Sequence, residues 1–329
     1  MKGSIAVIGS NSFSGASFCK HLLDQGMEVI GISRSEEPVN PLLPYKWGDH
    51  SKLNFHQLDL NQDLVDIERV LDQHKISTVY NFAAQSMVGQ SWEFPEHWFM
   101  TNAVSTIKFH NMLRHKDYLD KYIHISTPEV YGSCFGFVNE SQVFNPSTPY
   151  AVSRAAADMS LKTFFDVHAF PVVSTRAANV YGPGQQLYRI IPKTILSIMM
   201  GRKLPLHGGG LSERSFIHID DVSAATQAIG EQGKDGETYH ISTLDTVSIR
   251  HLVELICQKM GRDIHQVCEI SADRPGKDAA YLLDSNKVRD EFAWKDKITL
   301  EQGIGQTIDW AKLNFEQLRS MSLDYEHKQ

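Results

Sequence analysis

Cysteine is scarce. The 329 residues hold four, Cys19, Cys134, Cys257 and Cys268, and no two have CxxC spacing. That excludes a zinc ribbon or a thioredoxin-type redox motif, and no Cys/His cluster suggests another metal site. Four reduced thiols suit a cytoplasmic protein. Long apolar runs are missing: none approaches the ~20 residues of a membrane span, so no membrane partner is expected. The opening MKGSIAVIGS passes straight into a strand-like segment, without a signal peptide's apolar core and cleavage site. An excess of basic charge is missing as well, since 32 Lys and Arg stand against 39 Asp and Glu, a net of −7. A nucleic-acid partner, which would favour a basic face, is not expected. Small anionic ligands stay open, because local arginines hold them whatever the net charge.

What is present is a regular alternation. Residues 4–9 (SIAVIG) read as a buried strand ended by glycine. A helix-period stretch follows, with Phe18, Leu22 and Leu23 on one side and Gly26 where a C-cap is wanted. Further strands are expected at 28–33, 54–60, 77–83, 121–126 and 171–176. Helices are expected at 63–74, near 92–114 and at 149–167. Strands alternating with helices imply an α/β fold, a Rossmann-type doubly wound parallel sheet over residues 1–180. Beyond about residue 180, Gly/Pro-rich turns alternate with short strands and helices. Residues 181–329 are read as a smaller mixed α/β substrate domain. No Pro/Ser linker separates the two, so some elements are expected to interleave and a ligand to lie between them.

The first strand ends in Gly9-Ser10-Asn11-Ser12-Phe13-Ser14-Gly15. A glycine turn between strand and helix lets backbone N–H groups approach a pyrophosphate at the helix N-terminus. Ser12 occupies the place of the usual middle glycine. The second strand ends in Ser33-Arg34-Ser35, with no acidic residue to accept from an adenine ribose diol. Arg34 with its serines suits a 2′-phosphate, so NADP is favoured over NAD. Asp59 ends the third strand, where a carboxylate accepts from the adenine amino group. Ala83 and Ala84 end the fourth, where backbone must lie close to the cofactor.

Two further segments carry chemistry, Ser126-Thr127-Pro128-Glu129-Val130-Tyr131-Gly132 and Pro149-Tyr150-Ala151-Val152-Ser153-Arg154. On a helix Tyr150 and Arg154 share a face. A phenol with a pKa near ~10 is a poor base at neutral pH, and a fixed cation nearby lowers it.

With these residues in view the chain resembles the extended short-chain dehydrogenase/reductase family, and within it the nucleotide-sugar 4,6-dehydratases. Those are marked by a glycine-rich loop, a Ser/Thr-Glu-Val-Tyr-Gly segment and Tyr-x-x-x-Lys. The likeness continues through Ala83-Ala84-Gln85-Ser86, Thr101-Asn102, Asn179-Val-Tyr181-Gly182-Pro183, Arg214-Ser-Phe-Ile-His and Asp273-Arg274-Pro275-Gly276. It implies an oxidoreductive site of Thr127, Tyr150 and the 154 position, with Glu129 as the base. It also implies that Asn11, Phe13, Leu60, Gln85 and Asn102 join the cofactor site. Gln85, Ser86, Thr127, Asn179, Arg214 and Arg274 are implied to face a nucleotide-diphosphate sugar, and a homodimer is implied, joined through the helices near 92–114 and 149–167. Two residues depart from the pattern. Arg154 stands where the family has lysine, and Pro128 where many dehydratases have the aspartic acid that protonates the leaving C6 hydroxyl. The expected reaction is dehydration to a 4-keto-6-deoxy sugar nucleotide. The alternatives are 4-epimerisation, decarboxylation, 5,6-dehydration, or cofactor binding without catalysis. His124, His207, His218 and His240 are read as structural. Trp92, Phe94, Trp98 and Phe99 are read as helix packing.

Overall fold

The computed structural model describes residues 4–134, 136–141, 143–271 and 282–327. Seven parallel strands form its centre: β1 (Ser4–Ile8), β2 (Val29–Ser33), β3 (Leu53–Gln57), β4 (Ile76–Asn81), β5 (Lys121–Ile125), β6 (Val172–Ala177) and β7 (Thr238–Ile241). Their order across the sheet is β7-β6-β5-β4-β1-β2-β3. The chain therefore moves outward from β1 to β3, then restarts on the other side of β1. That reversal opens a crevice past the carboxyl ends of β1 and β4, where doubly wound sheets hold their ligands.

The inner strands are buried on both faces. Ala6, Val7, Ile32, Val79 and Ile123 are all shielded from solvent, as expected of apolar runs in a parallel sheet covered by helices. A buried side chain of this size contributes about 1.5–3 kcal/mol over an exposed one. Helix α1 (Phe13–Asp24) starts at Ser12, whose hydroxyl accepts from the Gly15 N–H, and buries Phe18, Cys19 and Leu22. Gly26 follows with φ +76°, ending the helix as the sequence reading expects. Helix α2 (Leu64–His74) buries Ile67 and Leu71.

Three boundaries differ from the sequence reading. β3 and β4 end at Gln57 and Asn81, short of residues 60 and 83, because Leu58–Leu60 and Phe82–Ala83 leave the sheet to line the crevice. The stretch near 92–114 is not one helix. Pro95–Phe99 and Thr106–Leu113 flank a π-helical turn over Met100–Ser105, the kind of local irregularity often found at functional sites. Of the aromatic run only Trp98 is buried. Trp92, Phe94 and Phe99 are exposed.

The long helix Pro149–His168, here α3, starts on a Thr148 cap with proline at its first position. After it the chain builds a second core around Tyr181, Ile191, Ile195, Leu252, Ile256 and Trp310. The seventh strand also comes from this later part. β7 pairs with β6 in parallel, Thr238 opposite Ser174 and Ile241 opposite Ala177. Among the described residues no helix is long and apolar enough to cross a membrane, and no group of three or more His, Cys, Asp or Glu could hold a metal.

Candidate active site

The turn from β1 to α1 is built by contact. At Gly9, φ is +83° and a Cβ would lie 2.7 Å from the Ala83 nitrogen. At Gly15 a Cβ would lie 2.2 Å from the Gly9 carbonyl oxygen. Both positions require glycine. The middle position does not. Ser12 folds its hydroxyl under the loop, donating to the Gly9 carbonyl at 2.7 Å and accepting from the Gly15 N–H at 3.1 Å. The serine thereby supplies the helix cap that a glycine would lack.

The cleft beside this turn has a volume of about 210 Å³. Its lining includes Gly9, Asn11, Ser12, Ser33, Arg34, Asp59, Leu60, Ala83, Ala84 and Gln85, ten of the residues expected at the cofactor. Glu36 lines it too, two residues past Arg34. The sequence reading stopped at Ser35 and missed it. Ser33 accepts from the Asn11 backbone N–H at 3.0 Å, and Asn11 donates its amide to the Ser35 carbonyl at 2.9 Å. These bonds tie the glycine turn to the end of β2. Asp59 accepts from the Asn61 N–H at 2.8 Å, which fixes its carboxylate in a turn at the cleft edge.

Three of the expected cofactor residues act through the protein's own packing and bonding. The ring of Phe13 lies in a core cluster with Val173, Ala178 and Ile217, which leaves only its backbone N–H, at the start of α1, to face the cleft. Gly15 acts through its packing against Gly9 rather than as lining. Asn102 is wholly buried, and its amide is spent on protein. It accepts from the Gln85 N–H at 2.8 Å and donates to the Gln85 carbonyl and Ser153 hydroxyl, both at 3.0 Å. Asn102, which lies within the π-helical turn, therefore holds the cleft wall at Gln85 in place.

Past β5, Thr127 caps a single turn of 3₁₀-helix, Pro128–Tyr131, with Pro128 at its first position. The Thr127 hydroxyl donates to the Glu129 carboxylate. Thr127 also lies close enough to the Tyr150 phenol to act on its acidity. Burial and the Glu129 carboxylate push Tyr150 above its ordinary pKa. Arg154, Thr127 and Arg189 pull it down without reversing the shift. The expectation that Arg154 leaves the phenol with a lowered pKa is thus corrected: its pull is present, but the net direction is upward. Arg154 is itself only 2% exposed. It donates to the Ile125 carbonyl, and its Nε has no hydrogen-bond partner among the described residues.

Thr127, Glu129, Tyr150 and Arg154 are thus brought to one place. Arg189, just before helix Ile190–Met200, joins them electrostatically. The sequence reading gave it no role. A cation at a helix start is the wrong sign for the helix dipole, and that mismatch was the available signal. Asn179 and Arg214 lie in the later part of the chain. Asn179–Tyr181 pairs with Phe216–His218, the Asn179 amide donates to the Ser215 carbonyl at 3.3 Å, and Arg214 is buried, donating to the Glu213 carbonyl at 2.7 Å. Ser86 is exposed beside Gln85. Arg274 lies outside the described residues. Of the histidines read as structural, His124, His218 and His240 are buried, and His207 Nδ1 lies 2.9 Å from the Ser271 hydroxyl.

The C-terminal segment runs near Arg34. Asp324 pairs with Lys193 at 2.8 Å, Tyr325 packs edge-on against Tyr188, and His327 stacks on Phe94, His97 and Trp98. Burial pushes Tyr325 up, while Arg34 and Arg189 pull it back. Arg34 is therefore engaged with this segment as well as lining the cleft.

Comparison with known proteins agrees with this geometry. The family model described as GDP-mannose 4,6 dehydratase matches residues 7–307. A dTDP-D-glucose 4,6-dehydratase of Mus musculus is 32% identical over 297 residues, covering 88% of this chain and 80% of its own length. A dTDP-glucose 4,6-dehydratase of Xanthomonas campestris pv. campestris is 29% identical over 328 residues, covering 94% and 93%. The solved dTDP-glucose 4,6-dehydratase of Streptomyces venezuelae, with NAD and TYD bound, superimposes with a TM-score of 0.89 at 27% identity, over 95% of this chain and 98% of that one. With a Rossmann sheet, a glycine turn at its switch point and a Thr-x-Glu…Tyr cluster beside it, the chain belongs to the GDP-mannose 4,6-dehydratase family of short-chain dehydrogenase/reductase enzymes.

Proposed function

We propose that the protein is a nucleotide-sugar 4,6-dehydratase, forming a 4-keto-6-deoxy sugar nucleotide. The observation that carries this reading is the Glu129 carboxylate, which accepts from the Thr127 hydroxyl and acts electrostatically on the Tyr150 phenol. Epimerisation at C4 needs only the threonine and tyrosine. A carboxylate joined to them serves a second proton transfer, at C5. The names of the relatives support the same reaction.

The residues present fit a nicotinamide dinucleotide. Gly9 lets the backbone pass where any side chain would clash, and α1 offers its N-terminal amides to a pyrophosphate. Asp59 suits the adenine amino group, and Glu36 suits the ribose diol. Glu36 would also repel a 2′-phosphate, so NAD rather than NADP is the resident cofactor in this reading. The relatives solved with NAD support that choice. When bound, the nicotinamide would supply reversible hydride transfer, from C4 and later to C6.

Tyr150 takes the C4 hydroxyl proton, with Thr127 sharing the hydrogen bond. The resulting ketone acidifies C5–H, and Glu129 removes that proton. Pro128 has no proton to give. Glu129 therefore returns the C5 proton to the C6 hydroxyl as water leaves, and ends the step as carboxylate. The proton gained by Tyr150 balances the one C5 regains after C6 is reduced, so the net change is loss of one water. Asn179, Arg214 and Arg274 suit the substrate diphosphate, since charge-assisted bonds from arginine are strong and directional.

Met100, Val104, Val152 and Met159 are exposed on Met100–Ser105 and α3. Their burial against a second copy would make the homodimer, and light scattering should give twice the chain mass. Four free cysteines fit a cytoplasmic location. The function is tested by incubating the protein and NAD with dTDP-, UDP- and GDP-hexoses and weighing the products. Loss of one water is expected. Unchanged mass with an altered sugar would show an epimerase, and loss of carbon dioxide a decarboxylase.

A further inference from the structure

Asp158 lies on α3 one turn beyond Arg154 and two beyond Tyr150, so the three share a face. Its carboxylate is buried and accepts from the Ser126 hydroxyl and from Arg176 Nη2, both at 2.7 Å. Arg176, on β6, is equally buried, and its other terminal nitrogen donates to the Tyr131 hydroxyl. The guanidinium also lies over the rings of Tyr131 and Phe144, at 4.8 and 5.0 Å. The Tyr131 hydroxyl lies 2.8 Å from His240 Nε2. His240 Nδ1 faces the Asp284 carbonyl at 3.1 Å.

Ser126 and Tyr131 are the residues that bracket the segment carrying Thr127 and Glu129. One buried ion pair therefore grips that segment from both sides and anchors it to the helix bearing Tyr150. Burial alone would push Asp158 up, but Arg176 and the Ser126 hydroxyl outweigh it and hold the carboxyl below its ordinary range. The pair stays ionised, which keeps both arms strong. A staple for the sheet alone would need no bond to residues 126 and 131. Elimination does need Glu129 held against C5 while Tyr150 holds C4, and a misplacement of about 1 Å can cost around 100-fold.

We propose that Asp158 and Arg176 are positioning residues for the elimination step, setting Glu129 relative to Tyr150 through Ser126 and Tyr131. This rests on the dehydratase reading. The test removes only the two hydroxyls, in a Ser126→Ala, Tyr131→Phe double variant. Product formation should fall about 10- to 100-fold, with KM within about threefold of wild type. Exchange of the substrate C5 hydrogen with deuterium from D2O should fall in parallel. Oxidation at C4, followed as the near-ultraviolet band of reduced nicotinamide, should persist, so that band should accumulate during turnover. The melting temperature should move by only a few degrees. Asp158→Asn should show the same signature more strongly, and each single hydroxyl variant a weaker one. A double variant with wild-type exchange and turnover would overturn the positioning role. So would a loss of oxidation, exchange and melting temperature together, which marks a merely structural bond. A wild-type protein that dehydrates no sugar nucleotide fails earlier, and defeats the dehydratase reading and this proposal with it.

Discussion

Arg154 donates to the main-chain carbonyl of Ile125, the last residue of β5, from the helix face it shares with Tyr150. The guanidinium is thereby held to the end of β5 rather than free to swing. It is one of three groups that oppose the upward push of burial and Glu129 on Tyr150. Arg154→Met should slow C4 oxidation about 10- to 1000-fold, the effect of losing a cation worth one to three pKa units. It should also move the alkaline limb of the pH–rate profile upward. Arg154→Lys should recover much of the rate. A Met variant with unchanged rate and profile would remove Arg154 from the chemistry.

Glu129 acts on Tyr150 with the opposite sign. Glu129→Gln should stop elimination while C4 oxidation continues, so reduced nicotinamide should accumulate. Because the carboxylate raises the phenol, its removal should also shift the pH limb of the oxidation half-reaction downward. Rapid-mixing absorbance over a pH series reads both. Full dehydration by this variant would exclude Glu129 as the base.

Cofactor choice turns on Glu36 and Arg34, both in the cleft. Wild type should bind NAD more tightly than NADP, and Glu36→Gln should narrow the gap by removing a diol acceptor and a charge that repels the 2′-phosphate. Calorimetric titration of both dinucleotides decides it. Tighter NADP binding by wild type would restore the sequence reading of Arg34.

Three buried histidines tie stability to pH. Burial first, with neighbouring cations, pushes His124 and His240 down to about 3, and burial alone takes His110 to about 4. Each is neutral in the folded state and protonates near ~6.5 once unfolded. Protons therefore favour the unfolded chain. Stability from this source is complete above pH ~6.5 and declines below it, by up to ~1.4 kcal/mol per pH unit for each histidine. Urea midpoints measured between pH 7 and 5 should fall, and His110→Gln should flatten the slope. A flat profile across that range would contradict the burial of these rings as neutral groups.

Much of the fold was legible because parallel strands buried on both faces read as short apolar runs. Val29–Ser33 and Lys121–Ile125 fall within the expected segments for that reason. The glycine turn was legible because Gly9 and Gly15 leave no room for a side chain. Other features depend on distant partners. Asn102 carries a motif that resembles a cofactor contact, yet its amide bonds Gln85 and Ser153, partners 17 and 51 residues away that spacing does not reveal. Glu36 and Arg189 follow no spacing rule, and enter the site only because the β2 end and the start of helix Ile190–Met200 face the cleft and Tyr150.

The central claim is that one bound nicotinamide moves hydride within a single sugar, from C4 to C6, with water lost between. A sugar nucleotide deuterated at C4 tests it directly. The account predicts a product lighter by one water that carries the deuterium on C6. Deuterium still on C4, or a product of unchanged mass, would contradict it.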